Sequence, residues 1–185
     1  SAVREASDAA SEGKTLVKIG QLYRAQGDTE QALDYYQQAR TLAQSLNDQA
    51  LQAEVLDSVA RMQRDAGDVE QALQTYQDAL KLAQESGNSG LESRALENIG
   101  RFYRDTGQLT QAMDFYQQLL VQAQAAADQR AEAGALDNIA RIQRDSGNLN
   151  EALASYQAVL ELASELGDTQ LGLASQTNIS NTYRH

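Results

Sequence analysis

The residues best suited to chemistry in this chain recur at a fixed interval. Asp57, Arg61 and Arg64 return 40 residues later as Glu97, Arg101 and Arg104, and again as Asp137, Arg141 and Arg144. Beside them Asn98, Asn138 and Asn178 share one register, with Ser58 in the second copy, and Arg24 and Arg184 continue the ladder toward both ends. At helical spacing Asp57, Arg61 and Arg64 fall within about 60° of arc, so they share one helix face, opposite the apolar one. A guanidinium fork pairs bidentately with carboxylates and can donate to peptide carbonyls, while a carboxamide offers one acceptor and two donors to an extended backbone. The set therefore suits the capture of an extended, acidic or carboxylate-bearing peptide. The same residues also read as helix-surface pairing. Asp57 with Arg61, Glu97 with Arg101 and Asp137 with Arg141 are i,i+4 pairs with the acid first, each worth about 0.2–0.5 kcal/mol on an exposed helix. Arg61, Arg101 and Arg141 are also spaced to meet Asp65, Asp105 and Asp145 in the reverse order.

Catalysis finds little support. Histidine occurs once, at the terminal His185, cysteine is absent, and no Gly-rich phosphate loop occurs. The many carboxylates recur in register, as caps and solvated faces do, and none falls in a calcium-loop pattern. No enzyme activity, metal or cofactor is expected. Arg-bearing helical repeats can read RNA, but 26 acidic residues against 15 basic ones give a net charge of −11. That field repels phosphate backbones and anionic membrane surfaces, so neither nucleic acid nor membrane is an expected partner.

The elements that position the ladder are legible in the same period. Gly27, Gly67, Gly107 and Gly147 stand 40 residues apart, with Ala32, Ala72, Ala112 and Ala152 five residues on and Tyr36, Tyr76, Tyr116 and Tyr156 nine residues on. Ahead of each glycine, Leu51, Val55, Leu56, Val59 and Met62 make a stripe at helical spacing, which predicts an A helix. The glycine supplies a left-handed stop, and Asp28, Asp68 or Asn148 with Gln31, Gln71 or Glu151 reads as a capping box opening a B helix. Asp8, Asp48, Asn88, Asp128 and Asp168 mark helix starts, giving repeats at about 8–47, 48–87, 88–127 and 128–167 and a capping helix at about 168–184. In that last helix Leu171, Leu173 and Ile179 keep the apolar pattern, while Gln176 and Thr182 solvate the end. Ser1 to Ser7 would precede the first A helix, as the frayed end of an earlier B helix. The stretches from Asn47 to Leu51, Gly87 to Leu91 and Ala127 to Ala131 look drifted. Gly20 and Gly100 alternate with Ala60 and Ala140, and Tyr23 and Tyr103 with Gln63 and Gln143, which hints at a duplicated 80-residue unit. The tyrosines are expected to pack between repeats. One copy cannot bury its own apolar face, so stability should be a sum of nearest-neighbour interfaces.

Leu96, Ile99, Gly100, Tyr103, Gly107, Ala112 and Tyr116 stand in the order and spacing of a large/small signature. In this the chain resembles the tetratricopeptide repeat (TPR) family, in a long variety similar to kinesin light chain and spindle-orientation adaptor repeats. It departs from that family in its 40-residue period, its lack of a helix-ending proline, and Gln63 and Gln143 in an aromatic register. The resemblance implies an all-α fold: an α-solenoid, a right-handed superhelix of four antiparallel helix pairs plus a C-terminal capping helix, in a single domain over residues 1–185. It also implies a concave groove lined by A helices, used as a docking surface for peptides or proteins, without catalysis.

Composition fits a modular core, since 42% hydrophobic but only 5% aromatic residues leave few large side chains for one global core. The N-terminus lacks an apolar signal stretch, and a cytoplasmic location is the expectation. Two functional classes follow. One is an interaction module that holds an acidic segment against Arg24, Asp57, Ser58, Arg61, Arg64, Glu97, Asn98, Arg101, Arg104, Asp137, Asn138, Arg141, Arg144 and Asn178. The other is a scaffold segment that self-associates and leaves the groove empty.

Overall fold

The computed structural model describes residues 2–184, with side chains from residue 8 onward. The described residues form nine α-helices and no strand. The A helices are α1 (Ala2–Ala25), α3 (Gln49–Ala66), α5 (Ser89–Asp105), α7 (Gln129–Asp145) and α9 (Thr169–Thr182). The B helices are α2 (Thr29–Ser45), α4 (Val69–Glu85), α6 (Leu109–Ala125) and α8 (Leu149–Leu166). Ser1 and His185 lie outside the described residues. The chain divides into two compact units, Ser1–Asn98 and Ile99–His185.

In the first unit α1 packs on α2, α3 on α4, and α3 also meets α1 and α2. Val17, Ala32, Tyr36, Ala39, Ala43, Leu51, Val55 and Met62 form its core. In the second unit α7 packs on α6 and α8, and α8 on α9, with Ala140, Ala152 and Tyr156 in a cluster against which Ile179 packs. In every B helix the alanine four residues before the tyrosine is fully buried, and Tyr36, Tyr76, Tyr116 and Tyr156 are at most 1% exposed. A small residue admits the neighbouring helix closely, and the ring fills the space beside it.

Both kinds of turn close by the same backbone device. After α1 the N–H of Asp28 donates to Tyr23 O at 2.9 Å around Gly27, whose φ is +82°. After α2 the N–H of Asp48 donates to Ala43 O at 2.9 Å around Asn47, and after α6 that of Asp128 to Ala123 O at 2.9 Å around Ala127. These are Schellman closures, with one left-handed residue each. The stretches that look drifted in sequence therefore keep one geometry. The left-handed residue is Gly87 or Gly167 in two copies and Asn47 (φ +52°) or Ala127 (φ +51°) in the others, and only after Gly87 does the closing N–H, that of Asn88, turn to a side chain, Ser86 Oγ at 3.3 Å.

Three expectations about helix ends are corrected. Asp8 lies inside α1, which begins at Ala2, so the first A helix is longer than the repeat register predicts. Asp28 accepts from Gln31 N, but Asp68 and Asn148 form no side-chain cap. All three sit at the centre of an inverse γ-turn, since Thr29 N also donates to Gly27 O, at 3.1 Å. Val69 N donates to Gly67 O at 2.9 Å and Leu149 N to Gly147 O at 3.0 Å, which satisfies the first helical N–H without a side chain. The caps ahead of α3, α5, α7 and α9 are intact, since Asp48, Asn88, Asp128 and Asp168 accept from the N–H three residues on. Finally, Thr182 is 2% exposed and donates to Asn178 O, whereas Leu173 is 60% exposed, the reverse of a solvating Thr182 and a packed Leu173.

Candidate functional site

The polar ladder of the first unit is tied together across A helices. Asn98 on α5 is 3% exposed and serves two partners at once. Its amide donates to Asp57 Oδ1 on α3, and its carbonyl oxygen accepts from Arg61 Nη2 at 2.9 Å. Arg61 Nε also lies 3.3 Å from Asp57 Oδ2, so Asp57, Arg61 and Asn98 close a three-residue clasp. Asp57 itself is 6% exposed. Burial holds its carboxyl above the ordinary value, against the opposing pull of Arg61, Arg94 and the Asn98 amide. Ser58, fully buried, accepts from Gln21 Nε2 of α1 at 3.1 Å and donates to Glu54 O of its own helix. Arg24 pairs with Asp65 of α3, and Arg64 Nη2 reaches the same carboxylate at 3.0 Å.

The second unit repeats the scheme more loosely. Asn178 Nδ2 on α9 donates to Asp137 Oδ1 on α7 at 3.1 Å, while Arg141 stands 4.0 Å from Asp137 and is exposed. Burial raises the Asp137 carboxyl too, opposed first by Arg141 and then by the Asn178 amide. Arg104 on α5 donates to Asn138 Oδ1 on α7 at 2.8 Å and pairs with Asp105, and Asn138 donates to Gly134 O. Arg144 grips Asp145 through Nε and Nη2. Glu97 and Arg101 are half-buried on α5 and are also engaged.

These positions correct one part of the sequence reading. Asp57, Ser58 and Asn98 do not stand on a free face opposite the apolar stripe. They are buried where consecutive A helices meet, because the wide faces of stacked helices bury more arc than an apolar stripe alone suggests. The i,i+4 acid-first pairs form at Asp57–Arg61 and Asp137–Arg141. In the reverse-order set, Asp65 is taken by Arg24 and Arg64, and Asp105 and Asp145 by the adjacent Arg104 and Arg144. The missed signal was an interval of one period plus one residue, Asp57 to Asn98 and Asp137 to Asn178. It sets the two partners side by side on successive A helices.

Tyr23 stacks on Tyr35 at 5.4 Å and Tyr103 on Phe115 at 5.5 Å within their own helix pairs, and Tyr23 also packs against the core cluster that holds Leu51, Val55 and Met62 of the next repeat. Tyr183 is 69% exposed. Among the described residues no group of three or more His, Cys, Asp or Glu side chains could hold a metal ion. No described helix is long and apolar enough to cross a membrane.

Comparison with known proteins places these features. A search of curated protein sequences gives no significant match. Among solved structures, BtubC (BKLC) from P. vanneervenii superposes with a TM-score of 0.79 at 18% identity, over 98% of this chain and 82% of its own. Kinesin-light-chain-type TPR-like repeats of Podosopora anserina give 0.74 at 16% identity, over 95% and 87%. A Rap protein complexed with competence and sporulation factor gives 0.77 at 16% identity, over 95% of this chain and 52% of that one. Likeness at that identity shows a shared helical-repeat fold. The tetratricopeptide repeat model itself matches residues 11–85, 51–125 and 91–165, stepping by the same interval as the glycines, Tyr36 with its mates, and the Asp–Asn clasps. The chain therefore belongs to the tetratricopeptide repeat family.

Proposed function

We propose that this chain is a non-catalytic protein-interaction module whose A-helix faces hold an extended, acidic segment of a partner protein. One observation carries the reading. In a chain of net charge −11, Arg24, Arg61, Arg64, Arg104, Arg141 and Arg144 all lie on A helices and keep between 17% and 45% of their side chains exposed. Asp57 and Asn98 hold nitrogens of Arg61, Asn138 holds one of Arg104, and Asp65 and Asp145 hold Arg24, Arg64 and Arg144, which fixes their direction. A carboxylate-rich segment then meets preorganised guanidinium groups and leaves less side-chain entropy to be lost on binding. Glu97, Asn178 and the half-buried Asp137 supply the framework in this reading rather than direct contacts. The likeness to a Rap protein solved with competence and sporulation factor supports a peptide-holding use of the fold.

The test is an array of extended peptides graded in acidic content, probed with the wild type and with Arg141→Ala/Arg144→Ala. Arg141 is exposed and Arg144 half-buried, each beside one carboxylate, so circular dichroism checks the fold of the variant before binding is read. Binding should rise with acidic content and fall about tenfold in the variant, more steeply at low salt. Retained binding in a folded variant sinks the proposal.

A second reading has its own support. On α9, Leu173, Gln176 and Ser180 are exposed, whereas their register mates Ala53, Leu96 and Ala140 are buried. An open face of that kind also suits self-association of a scaffold segment. Sedimentation across a wide concentration range decides it, since a strict monomer excludes assembly.

A further inference from the structure

One A-helix register breaks the pattern of the others. Three residues ahead of the Asp57 position the first unit places Lys14, Glu54 and Arg94 on α1, α3 and α5, whereas the second unit has Gly134 and Ala174 there. This is an unrepeated constellation in an otherwise periodic chain. The three side chains line a cleft of about 270 Å³ that Ala50, Asn88 and Leu91 complete. Arg94 Nη1 lies 3.6 Å from Glu54 Oε1, and the Arg94 side chain keeps 39% of its surface exposed. Lys14 is exposed and makes no ion pair among the described residues. Gly90, on the cleft wall, carries no side chain to obstruct entry; a Cβ there would meet only Asn88 Oδ1, at 3.5 Å.

The cleft thus sets two cations against one carboxylate over an apolar floor, in a protein whose overall charge is strongly negative. We infer that it is the anchor subsite for a single acidic side chain of the bound segment. The aspartate or glutamate carboxylate enters between Lys14 and Arg94, and an aliphatic neighbour rests on Ala50 and Leu91. The inference rests on the docking reading above and narrows it to one place in the first unit. Glu54 then has a definite sign. It holds Arg94 in place but repels the incoming carboxylate, so neutralising it favours the ligand.

The probe is a peptide of alternating glutamate and leucine, blocked at both ends, compared with its glutamine counterpart and with that counterpart bearing a free C-terminal carboxylate. Binding is followed through the backbone amide signals of Ala50, Gly90 and Leu91. The glutamate peptide should shift these signals and bind more tightly than either glutamine peptide. Lys14→Ala and Arg94→Gln should each weaken it about threefold, and Glu54→Gln should tighten it about threefold. Lys14 is exposed, so its variant reports on binding without endangering the fold. Equal binding by the blocked glutamine peptide, preference for the free carboxylate, or weakening by Glu54→Gln overturns the inference. If Arg141→Ala/Arg144→Ala lowers binding while the cleft variants do not, the subsite fails and the docking reading stands. If neither set matters, both fail.

Discussion

The first and third repeats differ from the second and fourth in a coupled way. In the odd repeats Gly20 and Gly100 lie under Tyr36 and Tyr116, and an aromatic pair, Tyr23–Tyr35 or Tyr103–Phe115, stacks at the rim. In the even repeats Ala60 and Ala140 fill the glycine position, and the rim pair is polar, Gln63 with Thr75 and Gln143 with Ser155. Ser155 donates to Gln143 Oε1 at 2.8 Å, whereas Thr75 donates to its own helix and the buried Gln63 Oε1 has no hydrogen-bond partner. The turn after the B helix alternates too, with Asn47 and Ala127 against Gly87 and Gly167 in the left-handed position. One repeat geometry is therefore met by two sets of side chains. Where the A helix gives up a methyl group, the tyrosine ring moves onto its backbone and an aromatic stack closes the rim.

The largest effect should come from undoing the even pattern. Ala60→Gly and Ala140→Gly each lose helix propensity and a buried methyl group, for about 2 kcal/mol in urea denaturation. A smaller loss would mean that the tyrosine settles into the vacated space as it does in the odd repeats. The converse, Gly20→Ala, places a Cβ 2.5 Å from Tyr36 Cε1. Overpacking of about 1–3 kcal/mol there outweighs the roughly 1 kcal/mol gain in propensity. Gly100→Ala, at 2.9 Å from Tyr116 Cζ, should cost less than Gly20→Ala. Stabilisation by Gly20→Ala would show that the ring is not locked against the helix.

The rim stack can be isolated by a double-mutant cycle. Tyr103→Gln and Phe115→Ser, alone and together, should show a coupling of about 0.5–1.5 kcal/mol, and additive losses would deny the stack any energy of its own. Relief of the strained turn comes next. Ala127→Gly should stabilise by about 1 kcal/mol, and Asn47→Gly by less, because asparagine tolerates the left-handed region. Thermal unfolding of both variants checks the order.

The smallest effect is electrostatic. Burial raises the Asp57 carboxyl above its ordinary value, so the folded chain binds that proton more tightly than the unfolded chain. Its contribution to stability is fully present below the ordinary carboxylate range and is lost as pH rises through the folded value. The stability of the wild type relative to Asp57→Asn should therefore fall with rising pH across the acid range. The same sign applies to Asp137→Asn, since burial raises that carboxyl as well. A rise in either case would mean that Arg61 or Arg141 dominates burial.

Much of the fold was legible because its determinants are local and repeated. Gly27 and its mates stop each A helix in the left-handed region, Asp48 and its mates cap the next, and Ala32 with Tyr36 marks the buried face of each B helix. The site was legible only in part. The sequence placed Arg61 and Asp57 on one helix face and carried the interval from Asp57 to Asn98, yet that interval alone does not say that Asn98 is buried between them. That depends on how far one A helix is displaced against the next, which no single helix encodes. The cleft of Lys14, Glu54 and Arg94 was missed for a related reason, since those residues attract notice only by breaking a register across three helices.

By itself, then, the sequence determined the alternation of A and B helices, the 40-residue repeat and the concentration of arginine on the A helices, because these follow from backbone sterics, capping and spacing along one chain. Tertiary structure alone decided which of the polar groups are consumed as inter-repeat clasps and which stay available at the surface. Burial and hydrogen-bond partnership arise only when helices distant in sequence are set side by side.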